Sequence, residues 1–154
     1  MRAALLLLLL IVSLGATTAA RPDRRIVDRV IVGDVRSEQE HAYAGENVTT
    51  GATQGRTFRQ ARSWMRYALT VFDDTEVTVG CTFLGSNTPQ TFDLIVENRV
   101  VSTHAFRSTE TRTVEFRVPL ELTRGRTNII VMLRATNGST PALLELRSVQ
   151  DHNE

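Results

Sequence analysis

The feature that most restricts the fold of this chain is a short alternation of apolar and polar residues that recurs about every ten residues. Alternation with period two, interrupted by turn residues, is typical of strands with one buried face. No apolar stripe with the helical period is long enough to predict a major helix. The pattern predicts about eight strands: Ile26–Val32, Met65–Val71, Glu76–Phe83, Thr91–Val96, Val100–Phe106, Thr111–Val118, Arg126–Arg134 and Ala142–Val149. We therefore expect an all-β fold of the sandwich type.

The segments between the predicted strands differ in kind. Glu97-Asn98-Arg99 is short enough for a hairpin turn, and Pro119–Gly125 is compatible with one helical turn that ends at the glycine. The stretch Gly33–Ser63 is polar and shows no regular alternation. We expect it to form an ordered surface loop, and long ordered loops often carry function.

The two ends of the chain predict the domain boundaries. Residues 1–20 contain one arginine, an apolar run and then small residues, which is the layout of a secretory signal peptide. We expect a secreted protein, with cleavage of the segment or its retention as an anchor left open. Residues 21–27 would form a linker and the start of the first strand, 28–149 the β-sandwich domain, and 150–154 a disordered tail.

The charge balance excludes several classes of partner. The chain has 18 basic and 17 acidic residues, and every basic residue is an arginine. A nucleic-acid-binding protein needs a strong positive excess, so we expect no nucleic acid partner. No second apolar run approaches the length of a membrane span. The absence of lysine also excludes chemistry that depends on a lysine amine.

The residues that could support catalysis are few. Cys81 is the only cysteine, so no internal disulfide forms, and its strand position predicts a small buried side chain. The three histidines lack the spacing of a zinc site, and no Gly-x-Ser-x-Gly motif is present. We therefore expect no enzyme. The lesser alternative is a small glycan-acting enzyme that would use Glu38, His41 and Glu46.

Ligand binding is better supported, because the polar stretch combines aromatic rings with planar hydrogen-bonding groups. A ring can cover the apolar face of a sugar while arginine and carboxylate groups bind its hydroxyls. The candidate ligand-binding residues are Trp64, Tyr43, His41, Glu46, Arg56 and Arg62. Trp64 could instead cover the core. We expect no cofactor, with a structural calcium ion at Glu38 and Glu46 as the one alternative.

Several motifs are together characteristic of a known domain. They are Val30–Asp34, Ser37–His41, Gly45–Asn47, Gly55–Arg62, Trp64–Leu69, Thr91–Glu97 and Val118–Gly125. With them, residues 28–149 resemble a C-terminal β-sandwich domain of unknown function found on secreted bacterial glycoside hydrolases of the β-L-arabinofuranosidase type (family 127 and its relatives). The most specific part is the element from Ser37 to Glu46. Arg124 stands where that domain usually has lysine.

The resemblance implies a jelly-roll β-sandwich like the galactose-binding-like and carbohydrate-binding modules. It does not imply hydrolase activity, since the residues that perform hydrolysis belong to a catalytic barrel that this sequence lacks. The expected function is a secreted, non-catalytic, carbohydrate-binding-like accessory module, with a glycan or a glycoside hydrolase as partner. The alternative is a structural or protein-interaction domain without a sugar ligand. In that case Ser37–Asn47 would close one end of the sandwich, His41 would be a structural histidine, and Glu46 would accept backbone N–H groups.

Overall fold

The computed structural model describes residues 23–72 and 75–152, and in this part of the chain it contains nine antiparallel strands. The strands are β1 (Asp23–Ile31), β2 (Ala44–Thr53), β3 (Arg56–Thr70), β4 (Val77–Phe83), β5 (Gln90–Val96), β6 (Arg99–Phe106), β7 (Arg112–Val118), β8 (Asn128–Asn137) and β9 (Leu143–His152). One short helix, α1, spans Val35–Glu40, and one 3-10 turn spans Leu120–Leu122. No helix in the described residues is long and apolar enough to cross a membrane.

The strands form two sheets. Sheet I has the order β2-β3-β8-β5-β6, and sheet II has the order β1-β9-β4-β7. One residue pair, Arg59 with Leu143, joins the sheets through β3 and β9. The core fills the space between them, and its largest fully buried side chains include Tyr67, Phe83 and Phe92. The prediction of an all-β jelly-roll sandwich is confirmed, with nine strands in place of about eight.

The additional strand comes from the stretch that we expected to be a loop, Gly33–Ser63. It contains α1 and a long hairpin made of β2 and the first half of β3. The hairpin turns at Gln54 and Gly55, whose φ angles are +48° and +75°. Two successive positive φ values give the twist that matches paired strands. In β2, a β-bulge between Glu46 and Val48 interrupts the apolar–polar alternation that would otherwise reveal a strand.

Other predicted features are confirmed. The β5–β6 hairpin turns at Glu97 and Asn98, both with positive φ. Gly125 has a φ of +73° and follows the 3-10 turn. Cys81 is fully buried, and burial raises the pKa of its thiol well above the usual range.

The predicted start of the first strand within residues 21–27 agrees with the structure, whereas the predicted C-terminal boundary needs correction. β1 begins at Asp23, and β9 continues to His152. Gln150, which we expected in a disordered tail, is buried: its amide donates to Thr75 Oγ1 at 2.6 Å and accepts from the Phe72 N–H at 2.7 Å. The predicted signal peptide, residues 1–20, lies outside the described residues.

Candidate functional site

A line of side chains crosses the outer face of sheet I. The strand register places one residue of each strand directly opposite the next, in the order Glu46, Trp64, Arg134, Asp93 and Thr103. We call these five residues the outer row. Their neighbours along the strands, such as Met65, Leu133 and Leu94, are buried in the core. Because successive side chains of a strand point to opposite faces, the outer row points away from the core.

Hydrogen bonds hold the outer row in two groups. Trp64 Nε1 donates to Glu46 Oε2 at 3.0 Å. Arg134 Nη2 donates to Asp93 Oδ2 at 2.7 Å, and Thr103 Oγ1 donates to Asp93 Oδ1 at 2.7 Å. The bonds from Thr103 and Arg134 lower the pKa of Asp93. The row is therefore preorganised, with a carboxylate, a guanidinium and a hydroxyl beside an indole ring.

A second, more apolar row runs beside the first. It consists of Arg66, Met132, Ile95 and Val100, which are again opposite one another across the strands. The Arg66 guanidinium lies 5.7 Å from the centre of the Trp64 ring. Val100 is 52% exposed, although it is a large apolar residue. The outer face of sheet I thus carries a polar line and an adjacent apolar line, in which Asp93 and Ile95 are buried and the other residues are at least partly exposed.

The six predicted ligand-binding residues fall into separate places. Trp64, Glu46 and Arg62 lie on the outer face of sheet I. Arg56 lies at the tip of the β2–β3 hairpin, opposite Thr53. Tyr43 lies on the inner side of this hairpin, because a side chain added at the inward position Gly45 would come within 3.3 Å of the Tyr43 hydroxyl.

Tyr43 belongs to a cluster that fills one corner of the sandwich. We call Glu38, Arg59, Tyr43 and Tyr67 the corner cluster. The Arg59 Nε and Nη2 atoms donate to the two Glu38 carboxylate oxygens at 2.6 and 2.7 Å. The Arg59 guanidinium also lies 4.5 Å from the centre of the Tyr43 ring, which stacks on Tyr67 with centroids 5.1 Å apart.

Local sequence places Glu38 in this corner. Asp34 caps α1, since its side chain accepts from the Ser37 N–H at 2.7 Å. The helix then presents Glu38 inward, where it also accepts from the Gly33 N–H at 2.9 Å. Burial raises the pKa of Glu38, but the bonds from Arg59 and Gly33 outweigh this effect, and the pKa lies below its usual value. Burial raises the pKa of the Tyr67 phenol above its usual range.

His41 has a structural environment beside the same helix. Its Nε2 lies 3.0 Å from Asp28 Oδ1, and its Nδ1 faces the Ser37 carbonyl oxygen. Asp28 also accepts from the Thr70 N–H at 2.6 Å. Both ring nitrogens of His41 therefore face acceptors, which favours the imidazolium. Burial opposes this charge, but the bonds to Asp28 and Ser37 prevail and raise the pKa of His41.

The residues suggested for calcium and for catalysis are not brought together. Glu38 lies in the corner cluster, whereas Glu46 lies on the outer face of sheet I, so the two carboxylates do not fit one calcium ion. His41 contacts Asp28, not either glutamate. Across residues 23–72 and 75–152 the structure contains no cluster of three or more metal-binding side chains. Glu38 and Glu46, which were suggested for the glycan-acting enzyme together with His41, therefore lie apart from it, and its carboxylate partner is Asp28.

One further surface feature was not found from the sequence. A cleft of about 630 Å³ lies between the edge strands β6 and β7, and its lining includes His104, Phe106, Arg112 and Glu115. Burial lowers the pKa of His104. These residues come from two sheets, and the alternation within each strand does not reveal that the two edges face each other.

The fold is similar to that of family 35 carbohydrate-binding modules. A module from Clostridium thermocellum matches with a TM-score of 0.61 and 8% identity, over 79% of this chain and 98% of that module. A module from Cellvibrio japonicus matches with a TM-score of 0.58 and 14% identity, over 81% and 98%. The extracellular domain of ANXUR1 from Arabidopsis thaliana matches with a TM-score of 0.58 and 7% identity, over 84% of this chain and 49% of that one. These TM-scores establish a shared fold, and identities this low establish nothing beyond it.

No curated protein matches the sequence. A family model matches residues 22–149, which is most of the chain. The chain therefore belongs to a family of unknown function, DUF6805.

Proposed function

We propose that this protein is a non-catalytic carbohydrate-binding-like module and that its ligand lies on the outer face of sheet I, against Trp64. The observation that carries the proposal is the outer row, in which a half-buried indole ring stands beside Arg134, Asp93 and Thr103. The likeness of the fold to family 35 carbohydrate-binding modules supports the same class of ligand.

The chemistry of the row suits a sugar. A pyranose or furanose ring has apolar C–H faces and a rim of hydroxyl groups. The Trp64 ring and the adjacent apolar row can cover the C–H faces. This contact is favourable, because removing water from aromatic and aliphatic surfaces lowers the free energy. Arg134 has donors beyond the one directed at Asp93, since a guanidinium carries five N–H groups. The Arg134 side chain is also 50% exposed, so these donors can reach hydroxyl groups of a ligand.

The setting of this function is also a proposal. We infer a secreted accessory module that acts with a glycoside hydrolase on plant or microbial glycans. The signal-peptide pattern of residues 1–20 supports secretion, and the resemblance to the domain attached to β-L-arabinofuranosidases supports the hydrolase partner. Binding is proposed to need no cofactor.

The test is a binding screen of the full chain against immobilised arabinan, galactan, xylan and mixed-linkage glucan, with calcium and again with a chelator. We expect retention of at least one polysaccharide, unchanged by the chelator, and at least tenfold weaker binding by Trp64→Ala. The matched control is Phe72→Ala, which removes another exposed aromatic ring that lies under an arginine but is outside the row. Equal binding by wild type and a folded Trp64→Ala protein would rule out this face.

A second candidate function, a protein-interaction domain, is favoured by the edge of sheet I. Residues 100–106 of β6 contain no charged residue and no proline, and among the described strands β6 pairs only with β5. The other edge strands carry charges or, in β2, a bulge and two glycines, which discourage strand addition. We expect Ala105→Lys to abolish any concentration-dependent association seen by light scattering. A chain that stays monomeric at millimolar concentration and retains no protein partner would count against this function.

A further inference from the structure

The outer row has a length and a direction that constrain the ligand beyond its chemical class. On the basis of the proposed function, we infer that the ligand is an internal segment of a linear polysaccharide, about four sugar units long, that crosses the strands of sheet I from β2 to β6.

The length follows from the number of strands. Five strands contribute one residue each to the row, and neighbouring strands lie about 4.8 Å apart, so the row spans about 19 Å, the extended length of about four sugar units. Trp64 lies at the second position, next to the β2 end. Asp93 and Thr103 lie at the fourth and fifth positions. A mono- or disaccharide centred on Trp64 therefore leaves the β6 end of the row without a ligand.

The direction follows from the two parallel rows. The outer row and the row of Arg66, Met132, Ile95 and Val100 both run across the strands, about 7 Å apart along β3, β8 and β5 and separated by one further residue on β6, at a bulge. A polysaccharide that crosses the strands meets the Trp64 ring at one end and the polar groups of Arg134 and Thr103 beyond it, with Met132 and Val100 beside them. A polysaccharide that ran parallel to β3 would instead meet Arg62, Trp64 and Arg66 in succession. Two charged groups would then flank the Trp64 ring.

The ends of the outer row indicate that the bound polysaccharide continues past the row on both sides. Glu46 and Thr103, the terminal residues, are both exposed, and they lie on the two edge strands of sheet I. A site for a terminal sugar needs a concave pocket that encloses the chain end. An open row that ends at both edges of a sheet is suited to the interior of a polymer.

The test measures binding of oligosaccharides with two to six units, prepared from arabinan, galactan, xylan and mixed-linkage glucan, by titration calorimetry with the full chain. Three variants are compared with wild type. Trp64→Ala removes the ring at the second position, and Thr103→Val removes the hydroxyl at the fifth. Thr113→Val is the matched control, since it removes a hydroxyl that bonds Thr82 on the outer face of sheet II.

We expect the affinity of wild type to rise at least tenfold from two units to four and then to level off. Thr103→Val should weaken binding of the four- to six-unit ligands about threefold and leave the two-unit ligand unchanged, because one hydrogen bond at the far end is lost. Trp64→Ala should weaken every length, and Thr113→Val none.

Two results would overturn the inference, and they can be told apart. If a disaccharide binds as tightly as the hexasaccharide while Trp64→Ala still weakens binding, the proposed function stands and the extended chain is wrong. If neither the oligosaccharides nor their parent polysaccharides bind the folded protein, the proposed function fails and the inference fails with it.

Discussion

The corner cluster and the outer row lie on opposite sides of the β2–β3 hairpin and are built from the same kinds of group. Each combines a carboxylate, an arginine and an aromatic ring. The environments differ. The side chains of Glu38 and Arg59 are only 7% and 20% exposed, whereas Glu46 is exposed and the Arg134 side chain is 50% exposed.

This difference separates a structural role from a binding role. In the corner cluster both Glu38 carboxylate oxygens and three of the five Arg59 N–H groups already have protein partners, and the Tyr67 hydroxyl, which has none, is buried. In the outer row Asp93 is also buried with both oxygens bonded, but Glu46 and Arg134 are exposed, and each has only one side-chain bond to the protein. Residue type alone therefore does not identify a ligand site. The decisive properties are exposure and unused hydrogen-bonding capacity.

The largest expected effect comes from breaking the corner cluster. Arg59→Met should lower the free energy of unfolding by about 3 kcal/mol, because Glu38 would remain buried without its partner. Chemical denaturation monitored by fluorescence measures this change. Arg36→Met is the matched control, since its bond to Glu40 at 3.0 Å is exposed and its loss should cost less than about 0.5 kcal/mol.

A double variant separates loss of the pair from loss of packing. Glu38→Gln combined with Arg59→Met removes both charges, and it should be more stable than Arg59→Met alone. If the double variant is the less stable of the two, the buried charge is not the cause.

A smaller effect is expected from pH, through the pair of His41 and Asp28. The pKa of His41 is raised on folding, so its stabilising contribution is complete below about pH 6.5 and is lost as the pH rises through the folded value. The pKa of Asp28 is lowered, so its contribution is present above its usual pKa and is lost as the pH falls through the folded value. A tenfold change in the affinity of either group for its proton corresponds to about 1.4 kcal/mol.

The measurement is the free energy of unfolding between pH 5 and pH 9 for wild type and His41→Gln. The difference between the two proteins should shrink as the pH rises, which isolates His41 from His104, whose pKa changes in the opposite direction. A difference that is constant over this range would contradict the assignment of His41 as an imidazolium.

The outer row should contribute little to stability. Trp64→Ala removes a half-buried ring and one exposed hydrogen bond, and we expect it to lower the free energy of unfolding by no more than about 1.5 kcal/mol, less than Arg59→Met. If chemical denaturation shows that Trp64→Ala lowers the free energy of unfolding more than Arg59→Met does, Trp64 has a structural role.

The smallest effect is expected at the far end of the row. Thr103→Val should lower the free energy of unfolding by no more than about 1 kcal/mol, because valine suits a strand equally well and one part-buried hydrogen bond, to Asp93, is lost. Thermal denaturation checks this value. A larger loss would show that the bond to Asp93 stabilises the sheet, and the binding data for this variant would then need a different substitution.

The fold was largely predictable from the sequence, and the exception has a physical cause. The second half of β3 and the strand β8 bury alternate residues, so their apolar–polar pattern is direct evidence of a sheet. The β2–β3 hairpin escaped prediction because a bulge at Asn47 shifts the alternation and two glycines, Gly45 and Gly51, leave positions without side chains. Gly51 lies under the Phe58 ring, which a Cβ atom would approach to 2.2 Å.

The candidate site was only partly predictable. The aromatic and polar composition of residues 41–64 led to Trp64, Glu46 and Arg62, which do share a face. It could not lead to Arg134, Asp93 or Thr103, since each lies at least 29 residues from Trp64 in the sequence and reaches the row only through strand pairing. His41 and Tyr43 were grouped with Trp64 by nearness in sequence, although the hairpin places Tyr43 on its inner side.

The sequence by itself determined the class of fold, the turns and the set of buried strand faces, because these depend on interactions between residues that are near one another in the chain. The tertiary structure decided which carboxylate would be buried against an arginine and which would remain in water. Glu38 and Glu46 are similar in sequence context, and both lie in the polar stretch. Their difference arises from the register of β2 on β3 and from the packing of α1, which depend on contacts between distant residues.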